Sequence, residues 1–293
     1  MSRLEVLKTY KIYIGGAFPR TESGRFYPLK DRYGKTVANI CLSSRKDFRN
    51  AVVEARKAQS GWSEKTAYNR SQILYRIAET LESRKTQFIA EMQLEGFSAS
   101  KAKLEVELSI DRIIYFAGWC DKYQQIFSAV NPVAGSYFNF SVPEPTGVVA
   151  ILPQESPLLG MVSATMPVIA GGNTCVYLAH EKFPLSAVNF AEVLNSSDVP
   201  GGVINILTGM ESELAEFFAN HMDVNACVSF SKNKDLNQKL ESLCTLNVKR
   251  FRNYSDLNIN SESFENPYLI QDFQEIKTTW HPIENIAPGK ASY

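Results

Sequence analysis

The chain lacks most of what would staple it from outside its own core or draw it to a charged partner. Its five cysteines, Cys41, Cys120, Cys175, Cys227 and Cys244, are odd in number and far apart, with no Cys-x-x-Cys pair. That excludes a disulfide framework and a cysteine zinc site, and it suits a reducing compartment. The three histidines, His180, His221 and His281, stand apart from one another and from any cysteine at ligand spacing, so no metal centre is expected. Neither sign of charge is in excess, with 31 basic side chains against 31 acidic, which removes the electrostatic case for nucleic acid or an anionic membrane surface. The greasiest stretch, 158–169, is broken by Ser163, Thr165 and Pro167, and the opening MSRLEVLKTYK has no apolar secretory core. Repeats and low-complexity tracts are also missing. The expectation is a cytoplasmic protein, and at 293 residues with 44% apolar content it can bury a sizeable core without staples.

What is present is a change of hydrophobic period along the chain. Residues 11–42 read as short strands and turns, each apolar run ending in turn residues. From Ser44 to Tyr123 the period becomes helical: Ile73, Ile77 and Leu81 recur every fourth residue, and Leu104, Leu108 and Ile113 continue an amphipathic helix toward Trp119. Residues 129–142 suggest two strands around Gly135. Five apolar runs then follow, at 148–152, 174–178, 203–207, 226–230 and 248–251, separated by helical stretches at 158–170, 185–195, 211–220 and 234–243. Alternation of that kind predicts parallel βαβ units with right-handed crossovers.

The most specific stretch is EPTGVVAILPQESPLLGMVSATMPVIAGGNT, Glu144 to Thr174. It resembles the start of the cofactor domain of NAD(P)-dependent aldehyde dehydrogenases, where a Gly-Val-Val strand runs through Pro-Trp-Asn-Phe-Pro into a helix ending at Ala-Gly-Asn-Thr. Pro153, Pro157, Gly171, Gly172, Asn173 and Thr174 stand in place, while Gln154 and Glu155 replace the Trp and Asn. FQEIKTTWHPIENIAPGK, from Phe273, resembles the family's closing strand, which pairs with its oligomerisation hairpin. Only about twenty residues, roughly 254–272, separate it from the last Rossmann-like strand, where the family inserts a whole catalytic domain. Skipping that domain should leave a Rossmann face and the hairpin edges uncovered.

An aldehyde dehydrogenase needs a thiolate, an oxyanion donor, a carboxylate base and a placed nicotinamide. The resemblance puts the thiol downstream of the base, but no cysteine follows Cys244. It puts Glu155 at the oxyanion Asn, where an ionised carboxylate cannot donate. Aligning Asn247-Val248-Lys249-Arg250 with the family's Asn-Leu-Lys-Arg puts Tyr254 at the base, which is poor chemistry for an unperturbed phenol at neutral pH. The Gly-bearing phosphate loop becomes Phe230-Ser231-Lys232-Asn233, without glycine. The family's ribose-contacting Lys matches Leu178, although Glu181 is retained.

Against these readings stand simpler ones. Lys232 and Lys234 could draw an anion, but helix-start lysines are usually solvated. Cys175 and Cys227 sit in apolar runs that suit core positions. Glu155 at the head of a helix suits its dipole without catalysis, and Gly171, Gly172 and the Gly201-Gly202 pair fit positive-φ stops.

The fold expected is therefore α/β: a Rossmann-like parallel sheet with an amino-terminal helical layer and a β oligomerisation hairpin, the catalytic domain missing. Its expected divisions are strands and helical layer at 1–127, hairpin at 128–143, βαβ core at 144–256, and linker with closing strand at 257–293. The resemblance is strongest to the truncated, non-catalytic carboxy-terminal half of family-sixteen aldehyde dehydrogenases. It implies a pseudoenzyme acting by homo-oligomerisation, or by association with a full-length aldehyde dehydrogenase subunit or another protein, with no nucleic acid, no membrane and no catalytic residue. No cofactor is expected, though the family uses NAD(P), and the vestigial cleft would be marked by Pro153, Glu155, Leu178, Glu181 and Lys232. The competing reading is an NAD(P)-dependent aldehyde oxidoreductase or a dinucleotide binder; a phosphate sensor using Lys232 and Lys234 is a third.

Overall fold

The computed structural model describes residues 6–283. In chain order these form β1 (Thr9–Tyr10), β2 (Phe26–Lys30), β3 (Thr36–Cys41), α1 (Arg45–Ser63), α2 (Ala67–Ser83), α3 (Lys85–Leu94), α4 (Ala99–Ala117) and α5 (Tyr123–Phe127). The strands β4 (Ala129–Asn131), β5 (Tyr137–Pro145) and β6 (Val148–Ile151) lead to α6 (Leu159–Ala170), β7 (Thr174–Ala179), α7 (Leu185–Ser196) and β8 (Ile204–Thr208). Then come α8 (Glu211–Asn220), β9 (Ala226–Ser229), α9 (Lys234–Thr245), β10 (Arg250–Asn253), α10 (Tyr268–Gln271) and β11 (Gln274–Pro282).

The helical period of 44–123 resolves into α1 to α5, and the start of α1 shows why it begins where it does. The backbone N–H and the hydroxyl of Ser44 both donate to Asp47 Oδ2 at 2.7 Å, closing the first turn reciprocally, while Asp47 Oδ1 accepts the Glu22 N–H at 2.8 Å. The buried stripe of α4 runs through Ala102, Val106, Ile110, Ile113 and Phe116. Leu104, expected on that stripe, is 53% exposed, because the apolar spacing of this helix supports two faces and the core takes the other.

The central sheet is parallel, with strand order β10-β9-β6-β7-β8. Successive side chains feed two cores. Val149, Ile151, Cys175, Tyr177 and Ile206 face one, with α2, α4, α6 and α7 residues, while Val148, Ala150, Val176, Leu178 and Leu207 face the other, with α1 and α8. All twelve residues of α6 are buried, as an apolar helix surrounded by neighbours must be. The strand expected at 248–251 begins two residues later: Val248 is 93% exposed at φ 57°, a left-handed turn residue that ends the α9 connection.

A second sheet, β11-β5-β4, joins the chain's last described strand to the hairpin, with Gln274 opposite Pro145 and Pro282 opposite Tyr137. The junction between the sheets explains the Gly171–Thr174 motif. The buried Asn173 carboxamide accepts the Gly147 N–H at 2.8 Å and donates to the Phe273 carbonyl at 3.0 Å, and Thr174 Oγ1 donates to Ala55 O at 3.0 Å. Of the four glycines expected as positive-φ stops, Gly172 (87°) and Gly202 (92°) are such stops. Gly171 and Gly201 are needed for contact instead: a Cβ would lie 2.4 Å from Gln274 Nε2 at the first and 2.5 Å from Gly15 O at the second.

The Rossmann face expected to be uncovered is covered by the chain itself. Residues 254–273, between β10 and β11, pack Tyr254, Ile259, Phe264, Leu269 and Ile270 into the main core. The clamp is Arg112 of α4, 1% exposed, whose guanidinium donates to Ser163 Oγ at 2.8 Å and to the Ile259 and Ser261 carbonyls at 3.4 and 3.3 Å, with Glu265 at 3.6 Å. Among the described residues the hairpin edges do remain open: β4 and β11 flank the second sheet, with Val130, Tyr137, Phe138, Ile276 and Trp280 exposed.

Three outcomes follow from these contacts. Arg112→Ala leaves buried acceptors unpaired and should cost about 3 kcal/mol, with hydrogen exchange rising first across 256–266; unchanged exchange there would refute the clamp. Val248→Gly relieves a β-branched residue at positive φ and should stabilise by about 0.5–1 kcal/mol in denaturant melts. Burial pushes the Glu95 carboxyl well above its usual range, while its Oε1 accepts the Leu185 N–H at 2.8 Å. A raised folded pKa means stability held at low pH and lost as pH rises through that pKa. Glu95→Gln should therefore match the parent below about pH 4 and melt higher than it at neutral pH and above.

Candidate functional site

Doubly wound sheets open a crevice where strand order reverses, outside the carboxyl ends of the strands. Here the reversal lies at β6, flanked by β9 and β7, and a cleft of about 500 Å³ opens over it. Pro153, Gln154 and Glu155 enter from β6, His180 from β7, Glu211 from the head of α8, Phe230 to Lys232 from β9, and Tyr254 to Ile259 from the covering segment. Its upper wall is thus built by residues that follow β10.

Three carboxylates, Glu155, Glu211 and Asp256, line it against one lysine, Lys232. Burial, and then the neighbouring Glu181 charge, push the Glu211 carboxyl above its usual range. Burial pulls His180 down despite the opposing pull of Glu181 and Glu155, and its ring stacks on Phe183 at 5.2 Å. Tyr254 donates to Asp272 Oδ2 at 2.6 Å, and burial, the Asp272 charge and that hydrogen bond all drive its phenol well above the usual range. The ring therefore stays protonated at neutral pH and accepts no proton from a substrate or water.

A dinucleotide pyrophosphate would need free helix-start amides and a close backbone approach. The start of α9 offers neither. Asn233 Oδ1 already accepts the Asp235 and Leu236 N–H groups at 3.0 and 3.1 Å, Asp235 adds a negative charge to the first turn, and the Phe230–Asn233 loop has no glycine. These residues do not fit a bound pyrophosphate.

Of the residues named from sequence, Pro153, Glu155 and Lys232 meet in the cleft. Leu178 lies outside it, fully buried on the α1 and α8 side of β7. Glu181 is absent from the walls; its carbonyl accepts the Tyr27 hydroxyl at 3.1 Å, and its charge acts on the cleft through Glu211. Glu155 is exposed and does not cap α6. That role belongs to Glu105, whose Oε1 accepts the Ser156 hydroxyl and the Leu158 and Leu159 N–H groups at 2.8, 2.9 and 3.2 Å. Sequence reasoning missed Glu211 and Glu105; the available signal for Glu211 was an acidic residue three places beyond the end of β8. All five cysteines are buried, and none lines the cleft. Among the described residues no His, Cys, Asp and Glu group converges as a metal site, and no helix is long and apolar enough to cross a membrane.

Comparison with known proteins gives the geometry a lineage. Residues 20–252 match the aldehyde dehydrogenase family model. The chain is 30% identical over 258 residues to the cytosolic 10-formyltetrahydrofolate dehydrogenase of Mus musculus, covering 85% of this chain and 28% of that protein. It is 31% identical over 224 residues to the mitochondrial benzaldehyde dehydrogenase of Antirrhinum majus, covering 73% and 41%. The crystal structure of PnpE from Pseudomonas sp. WBC-3 superposes with a TM-score of 0.78 at 25% identity, covering 84% of this chain and 50% of that one. The chain thus spans half the length of that structure and less than half of either relative. A family match across most of its residues, on a shared fold, means that this chain belongs to the aldehyde dehydrogenase family.

Proposed function

We propose that this chain is a non-catalytic aldehyde dehydrogenase-like protein that acts by association, most like the truncated carboxy-terminal half of family-sixteen aldehyde dehydrogenases. The observation that carries the reading is the cleft itself. Where the family resemblance calls for an amide donor, a base and a phosphate loop, the walls present Glu155, a protonated Tyr254 and a capped, glycine-free helix start. A growing oxyanion beside Glu155 would be repelled, so the loss of rate should exceed the 10²–10³-fold usual for removing one donor.

Support for association comes from the second sheet. Among the described residues both of its outer strands have unpaired edges, and they carry exposed apolar side chains, with Val130 on β4 and Ile276 and Trp280 on β11. A second copy, or a full-length aldehyde dehydrogenase subunit, would pair with one edge and cover these residues. Cytoplasmic residence fits the unbridged cysteines.

Calorimetric titration with NAD and NADP should give no heat at micromolar protein, and no simple aldehyde should be turned over. Light scattering should show a dimer or larger species that Val130→Lys combined with Ile276→Lys converts to monomer. One-to-one dinucleotide binding at micromolar concentration would restore the oxidoreductase reading, and a monomer that recovers no partner from cells would remove the association reading.

A further inference from the structure

A second cleft, of about 480 Å³, lies at the other end of α8, on the order of 15 Å along that helix from Glu211. Its floor is Phe48, Phe217 and Met222; its rim is Arg45, Lys46, Arg49 and His221. Met222 is 76% exposed and Phe217 half-buried, so apolar surface remains available beside the cations. The Arg45 guanidinium lies over the Phe217 ring at 5.2 Å, and Phe48 meets the His221 ring edge-on at 5.6 Å.

Among the described residues the walls of this cleft carry three cations and no carboxylate. Among the described residues no carboxylate lies within ion-pair distance of Arg45, Lys46 or Arg49, and the side-chain bond made by Arg49 goes to the neutral Asn50 amide at 3.3 Å. Asp47 points away from the rim, its Oδ2 held by Ser44 at the α1 cap and its Oδ1 by the Glu22 N–H, and Glu216 is paired with Lys239. Asp223 is the acid acting on His221, opposed there by Lys249, Arg45 and Arg49. The carboxy end of α8 would account for one cation in its last turn. Three cations drawn from a different helix, on a chain with no net charge, exceed that need.

We propose that this cleft binds an organic phosphate carrying an aromatic ring. The phosphate dianion meets Arg49 and Lys46, a planar guanidinium and a compact ammonium on the same rim. The ring lies against Phe217 and Met222, where the edge of the Arg45 plane extends the stacking surface. An inorganic ion satisfies the rim and leaves the floor wet, so the floor argues for a ligand with an apolar body. The site is independent of the sheet crevice and of the association proposed above.

Titration of the full chain with phenyl phosphate and, separately, inorganic phosphate at low ionic strength tests this. Phenyl phosphate should bind at least tenfold more tightly than inorganic phosphate, weaken as salt is raised, and lose more than tenfold in Arg45→Ala combined with Arg49→Ala. Lys46→Glu, at an exposed position, guards against loss of fold in the double variant, with the melting temperature as control; it should weaken binding too, while Glu211→Gln in the other cleft should not. Equal affinity for the two anions, or binding indifferent to both sets of variants, would overturn the assignment.

Discussion

The rest of the structure depends on one buried carboxamide. Asn173 bridges the backbone that opens β6 and the backbone that opens β11, tying the central sheet to the hairpin sheet. The Phe273 carbonyl also receives the Thr146 N–H at 3.1 Å, and Gln274 Nε2 donates to Gly171 O at 3.0 Å, which makes the junction a small network rather than one contact. A buried network of this kind is costly to leave half-made. That cost gives the Gly171 to Thr174 motif an architectural role.

The second constraint is the clamp at Arg112. The short connection after β10 must cover the apolar face of α4 and α6 that it crosses, and it does so with Ile259, Phe264, Leu269 and Ile270. Burying a guanidinium is costly unless it is paired, and here Nη2 donates to the covering segment's own carbonyls and Nη1 to Ser163, while Nε lies 3.6 Å from Glu265. The same segment supplies Tyr254 to Ile259 to the sheet crevice. The crevice is therefore shaped by the connection, and its contents follow from that packing as much as from descent.

Fold and chemistry separate cleanly in this molecule. The strands that define the crevice are buried, and its walls carry the three carboxylates Glu155, Glu211 and Asp256 against Lys232. The helix start that would serve as the anion site is capped by its own Asn233. Three cations gather instead around the far end of α8, over an aromatic floor.

The alternation of apolar runs determined the parallel βαβ core from sequence, because burial on both faces writes a continuous apolar run that no turn can imitate. The same reading placed Pro153, Glu155 and Lys232 at strand ends, since a strand's end is a local property. It could not place Glu105 under α6, Arg112 beneath residues 259–265, or Leu178 away from the crevice. Each of these depends on which face of an element meets a partner distant in sequence. Leu104 and Ile113 look equivalent along a helix, and only the approach of α6 and the covering segment decides which is buried. Chain periodicity specified the elements; the pairing of distant backbone and buried polar groups decided what they enclose.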